Sequence, residues 1–171
     1  LVLGQIRILL PHEKKVLVGL QMEVLGVIDW DRDEISIDAV LYDSHILTHA
    51  LTGDMALRAR WGNDPCFLLA VGGFHPSFSP PAGFPALGRI ALTITKGDSI
   101  RLRMEAYVAL TSNTAQLGAR ADLLVRASGF SVEGYLGFDA LFQFSPFMFI
   151  VDLRAGVTLK WHGRTLAGID L

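Results

Sequence analysis

Three residues in the first half of the chain could bind a metal: Asp43, His45 and His49, within "DSHILTH". On one strand, positions 43, 45, 47 and 49 share a face, so a carboxylate and two imidazoles would point the same way, a donor set that zinc accepts. The spacing argues against it. Histidines four apart on an extended strand are about 13 Å apart, at roughly 3.3 Å per residue, too far for one ion without a bulge. The helical metalloprotease pattern needs Glu directly after the first His, and Ile46 stands there. Two polar-face histidines are the expected reading.

Other reactive residues also have simpler readings. In "DWDRDE", Asp29, Asp31 and Asp33 alternate as in the first half of a calcium loop. That loop then needs Gly at its sixth position and Glu at its twelfth; Glu34 and Val40 stand there. A solvated hairpin tip with acids that discourage edge pairing is expected instead. "ASGFS" lacks the nucleophile-elbow spacing, and "VGGFHP" lacks the lysine of a phosphate loop. Cys66 has no activating partner nearby in sequence, and apolar surroundings would leave its thiol inert. His75, before Pro76, could orient a ligand, but a ring satisfying loop carbonyls is expected. His162 falls in a hairpin tip and should face solvent. A hydrolytic or metal-dependent enzyme using Asp43, His45, His49 or His75 is the weakest of three functional readings; no cofactor is implied.

The strongest apolar feature is the row Phe138, Phe142, Phe144, Phe147 and Phe149. It reads as sheet core or as the lining for an acyl chain or other apolar partner, since large apolar patches rarely stay exposed without purpose. Composition agrees. Hydrophobic residues make up 51% of the 171 positions and charged residues 19%, below the roughly 25% typical of soluble domains. No run reaches the roughly 18 apolar residues of a membrane helix. A net charge of −2 gives no electrostatic case for nucleic acid or an anionic membrane. A single cysteine cannot form an internal disulfide. No signal-peptide pattern is visible, the ends look mid-strand, and no compartment is assigned.

The elements that position these residues are strands. In the second half, turn signals at "KGD", "TSNT", "SGF", "SP" and "HGR" separate alternating segments, the one in "LGARADLLVRA" less clean than the others. Ile100, Leu102, Met104, Ala106, Val108 and Leu110 oppose Arg101, Arg103, Glu105 and Tyr107. Ala119, Ala121, Leu123 and Val125 oppose Arg120, Asp122 and Arg126. The pattern repeats from Val132 to Phe144, and from Phe147 to Leu159. This predicts an antiparallel meander of long strands with one apolar and one mixed face. Internal glycines at 134, 137, 156 and 168 predict bulges or curvature. In the first half, Val16, Val18, Leu20, Met22, Val24 and Ile28 align, then Ile35, Ile37, Ala39 and Leu41. "SHILTHAL" admits one short helical turn.

Between the halves, residues 72–88 interrupt the alternation. Prolines 76, 80, 81 and 85 cannot donate to a ladder and push their predecessors to extended conformations. A stiff crossover is expected, a capping loop in which Phe74, Phe78 and Phe84, with His75, pin it to the apolar sheet face or cap one end of it.

The segments "GGFHPSFSPPAGFPALGRI" and "GFDALFQFSPFMFIVDLRAGV" resemble a family of very large bacterial and fungal proteins, catalogued as a domain of unknown function. "GDMALRARWGNDPCFLLAVGGFHP" is similar to family sequence too, so the resemblance spans residues 40–171. It implies that the chain is part of a much longer β-rich protein, and it brings no activity, cofactor or catalytic residue.

The sequence therefore predicts a single all-β domain over residues 1–171, a long-stranded antiparallel meander forming a strongly curved open sheet or incomplete barrel. The leading functional expectation is a non-enzymatic sheet module whose apolar face packs against neighbouring modules or holds an apolar ligand such as lipid. An outer-membrane-type barrel segment is the alternative; it needs aromatic girdles at both strand ends and a polar interior. Unpaired edge strands should also favour self-association.

Overall fold

The structure, a computed structural model, describes residues 1–10 and 17–171; Val16 of the predicted apolar stripe falls outside them. The described residues form thirteen strands: β1 (Val2–Leu10), β2 (Val18–Asp29), β3 (Glu34–Leu41), β4 (Ser44–Ile46), β5 (His49–Thr52), β6 (Asp54–Arg60), β7 (Cys66–Val71), β8 (Ile90–Lys96), β9 (Ile100–Thr111), β10 (Thr114–Ala127), β11 (Phe130–Gln143), β12 (Met148–Trp161) and β13 (Arg164–Asp170). Every pairing is antiparallel. The five turn signals of the second half join β8 through β13 as successive hairpins. "SHILTHAL" forms the β4–β5 hairpin, with no helical turn.

β8 through β13 form the predicted meander. β10, β11 and β12 each run 14 residues, against a usual 5 to 6. The first half departs from a plain meander because β2 and β9 each share one edge between two partners. One edge of β2 carries β1; its other edge pairs with β4 at Val18 and Gly19 and with β3 from Met22 onward. One edge of β9 carries β10; its other edge pairs with β8 from Ile100 to Ala106 and with β7 from Val108 to Thr111. Two branches, β3–β6–β7 and β4–β5–β8, thus connect β2 to β9, and eight strands close a ring of pairings. β10–β13 continue past β9 as open sheet.

Two glycines let the branches touch. Gly53, where the chain leaves β5 for β6, has φ +151°, and a Cβ there would lie 2.9 Å from the Ile90 Cα. Gly72 has φ +71°, and its Cβ would meet the Ala106 carbonyl oxygen at 2.5 Å. Neither position admits a side chain without moving backbone.

The crossover from β7 to β8 is a strap, and Asp54 clasps its two ends. The Gly72 amide donates to the Asp54 carbonyl at 2.8 Å, the Gly88 amide donates to the Asp54 carboxylate at 2.7 Å, and the Asp54 amide donates to the Gly88 carbonyl at 3.3 Å. Arg89 then donates back to the Gly72 and Phe74 carbonyls. Within the strap, Phe74 packs against Phe78 and Phe84 with ring centroids 5.0 and 5.2 Å apart.

The strap lies over the mixed face, not the apolar one. Beneath it runs one cross-strand row of fully buried residues: Ala56, Ala70, Ala109, Gln116 and Leu141. Three alanines in succession keep that patch low, and on β6 the Arg58 guanidinium lies over the Phe84 ring of the strap, 5.4 Å from its centroid. The domain's core therefore sits where the charged face of the meander gives way to small residues.

Candidate functional site

The opposite face is apolar across the sheet and is most exposed on β9 to β12. Register places Val24, Ala39, Met55, Val71, Val108, Leu117, Ala140 and Val151 in one continuous row spanning β2, β3, β6, β7, β9, β10, β11 and β12. The next row is Gly26, Ile37, Leu57, Leu69, Leu110, Ala115, Phe142 and Phe149. The second branch extends the same surface: Leu51, Leu92, Met104, Ala121, Leu136 and Ala155 lie in register. Alternation with period two puts most of a strand's large apolar residues on one side, and consistent register joins those sides into a single surface.

Much of that surface meets solvent. Phe147 and Leu153 are each 74% exposed, Leu136 63% and Phe149 61%. A groove of about 380 Å³ runs along it, lined by Leu51, Ile90, Leu92, Met104, Leu136 and Phe138. The five phenylalanines do not line one pocket. Phe138 borders the groove; Phe142 and Phe149 face each other across β11 and β12; Phe144 and Phe147 sit in the turn between those strands. At the far end of the same two strands, Phe130 and Trp161 pair with ring centroids 4.0 Å apart.

The strapped face carries the polar groups. Tyr107 is 6% exposed, and its hydroxyl donates to Asp139 at 2.8 Å. Arg154 donates to the other oxygen of the same carboxylate, and the Arg89 guanidinium stacks over the Tyr107 ring at 3.9 Å. Burial, and then the hydrogen bond to Asp139, push the Tyr107 hydroxyl well above the ordinary tyrosine range, so it stays a donor. Nearby, Arg120 bonds Asp122 and holds its carboxyl below the usual range. Tyr107, Asp139, Arg154, Arg89 and Arg120 border a cleft of about 210 Å³. Because the arginines already serve carboxylates or strap carbonyls, the cluster's evident work is to anchor the strap.

His75 is buried at the strap's start. Its amide donates to the Gln116 side-chain oxygen at 2.9 Å, and its Nδ1 accepts the Ser77 amide at 3.1 Å. Nδ1 is thus an acceptor, and Nε2 carries the proton in the neutral ring. Nε2 has no hydrogen-bond partner among the described residues and stands 4.0 Å from an Asp152 carboxylate oxygen. Only Nδ1 is satisfied, and by a loop amide, where sequence reasoning expected loop carbonyls.

The other candidates do not converge. His45 pairs with Ala50 and Ile46 with His49, so the two imidazoles occupy opposite faces of the β4–β5 hairpin. The single strand assumed for positions 43 to 49 is broken by the turn at 47–48. His45 instead covers Gly19, the residue it pairs with on β2: a Cβ on Gly19 would lie 2.4 Å from the ring. Tyr107 covers Gly118 and Tyr135 covers Gly156 in the same way. Asp29 caps the β2–β3 hairpin tip by accepting the Asp31 and Arg32 amides, each at 3.0 Å. His162 forms the β12–β13 tip against Trp161. Cys66 is exposed at the start of β7, not in apolar surroundings. Among the described residues, no three His, Cys, Asp or Glu side chains stand close enough to hold a metal ion.

Sequence reasoning missed Tyr107, Gln116, Asp139, Arg89 and Asp54. A signal for the first was available. The turn at "TSNT" fixes which residues face each other across β9 and β10, and it sets Tyr107 opposite Gly118, a pairing of large against absent side chain that marks close packing.

Comparison with curated proteins and with solved structures returns no match. The sequence profile of one family does match, over residues 1–171, a wider span than the stretches that first carried the resemblance. With its thirteen-stranded antiparallel sheet strapped on one face and bare on the other, the chain belongs to DUF6603, a family of unknown function.

Proposed function

We propose that this chain is a non-enzymatic β-sheet module whose apolar face is its working surface, covered in use by a neighbouring module or by the acyl chains of a lipid. The observation that carries this reading is the pair of cross-strand rows that stay apolar through eight successive strands and are exposed at Val108, Leu110, Leu117, Phe149 and Val151. Each phenylalanine covered by a partner contributes about 1.5–3 kcal/mol, so the five could supply on the order of 10 kcal/mol.

A second reading rests on the aromatics at both ends of β11 and β12, Phe144 and Phe147 at one and Phe130 and Trp161 at the other. Such girdles suit the interfaces of an outer-membrane barrel wall.

Native mass spectrometry of protein purified from cells without detergent, followed by organic extraction, tests these readings. Acyl lipid at a fixed ratio supports the lipid arm, and Phe138→Ser should then lower the ratio. A clean mass supports the module arm. A chain recovered only in detergent supports the barrel wall.

A further inference from the structure

Among the described residues, the two strands paired on only one edge, β1 and β13, differ. β13 has seven residues, Arg164 and Asp170 at its ends, and a register shift opposite Leu159 and Lys160; short length, charge and irregularity are the devices that blunt an edge. β1 has none of them. It is nine residues long with unbroken register against β2, contains no proline, and Arg7 is its one charge. It is also apolar on both sides. Val2, Ile6, Ile8 and Leu10 continue the apolar face of β2, while Leu3 and Leu9 lie on the other side beside Gln5 and Arg7. A long, regular, unblunted edge presents a row of open backbone N–H and C=O groups that templates pairing with another strand, and eight of the nine residues are exposed.

We propose that the outer edge of β1 pairs with β1 of a second copy of this chain, antiparallel, about a two-fold axis through Ile6. This sets Ile6 opposite itself, Val2 opposite Leu10, Gly4 opposite Ile8, Leu3 opposite Leu9 and Gln5 opposite Arg7. Every pair is apolar with apolar, or polar with polar, and no like charges meet. A two-fold axis perpendicular to the sheet leaves both apolar faces on the same side, so pairing doubles the width of one continuous surface. The inference is independent of what covers that surface.

Disulfide trapping tests it in a Cys66→Ser background. Ile6→Cys puts two thiols at the axis, and Ala167→Cys probes β13 as control. Sedimentation of the parent chain should show a concentration-dependent dimer, and oxidation should link Ile6→Cys but not Ala167→Cys. Ile6→Lys should shift the sedimentation equilibrium at least tenfold toward monomer, with the far-ultraviolet circular dichroism unchanged. A parent chain monomeric across the micromolar range, a dimer trapped through Ala167→Cys instead, or a dimer that survives Ile6→Lys in a folded variant would each overturn it. Should Ile6→Lys fail to fold, the trapping result decides.

Discussion

Gly118→Ala should cost far more than a methyl group ordinarily does in an extended strand. The new Cβ would lie 2.4 Å from Tyr107 Cε1, 2.7 Å from its Cζ and 2.8 Å from an Asp139 carboxylate oxygen. Ordinary contact begins near 3.4 Å, so the ring must move by about 1 Å. That displacement strains the hydroxyl's bond to a charged acceptor, about 1.5–3 kcal/mol. It also disturbs the stacked Arg89, about 0.5–2 kcal/mol. Replacing glycine in an extended conformation returns about 0.4–1 kcal/mol through the unfolded chain. The net expectation is a loss of about 1–4.5 kcal/mol. Gly137→Ala is the matched control: it lies on the same face one strand away, and its Cβ would meet the Ala119 carbonyl oxygen at 3.5 Å and Arg120 Cβ at 3.7 Å, which are ordinary contacts. It should be neutral or slightly stabilising. Urea unfolding measures both, and limited proteolysis within residues 72–88 reports strap loosening. In the double variant Tyr107→Ala/Gly118→Ala, the alanine should add nothing to the cost of losing the ring. Equal stability of Gly118→Ala and Gly137→Ala, or full additivity in the double variant, would refute the idea that this packing fastens the strap.

Alkaline unfolding should report the same tyrosine. The folded pKa of Tyr107 lies above the unfolded value of about 10, so its contribution is fully present below pH 10 and declines as pH rises past it, by up to about 1.4 kcal/mol per unit. Tyr107→Phe should flatten that part of the profile; an unchanged slope between pH 10 and 11 counts against the buried donor. Gln116→Ala removes the acceptor for the buried His75 amide and should cost about 1–3 kcal/mol, whereas exposed Gln5→Ala should cost almost nothing in thermal melts. Asp54→Ala removes only the carboxylate that the Gly88 amide bonds, so amide exchange at Gly88 should quicken by about an order of magnitude, while Gly72, which donates to the Asp54 backbone carbonyl, should stay protected; unchanged protection at Gly88 would mean that the strap holds without its clasp.

The meander was readable in advance because its signals are local. Alternation from Ile100 to Leu159 and turn residues at each boundary specify strand, partner and register together. The two-branch ring was not readable, since a switch at Gly53 depends on Ile90, far away in sequence. Residues 72–88 could be recognised as a crossover from their prolines, but period two identifies two faces without saying which one a crossover will cover. The deciding clue is compositional: the polar alternation of β9, from Arg101 to Tyr107, ends at Ala109, and on β6 and β7 the facing positions are Ala56 and Ala70. Small residues in register mark the covered patch, and they become visible only once distant strands are aligned. For the same reason His45 and His49 could be spaced along an assumed strand, whereas the turn between them decides their faces.

The divided inner edge of β9 also orders the folding of the chain. Hairpins from β8 to β13 join neighbours in sequence and require only short loops to close, so they can assemble early. Pairing β7 with β9, and β5 with β8, must wait for the intervening strap to be drawn in, at a higher entropic cost. A nascent chain would therefore hold half of that edge vacant until the strap folds down, and the ring's closure would be the late, rate-setting event.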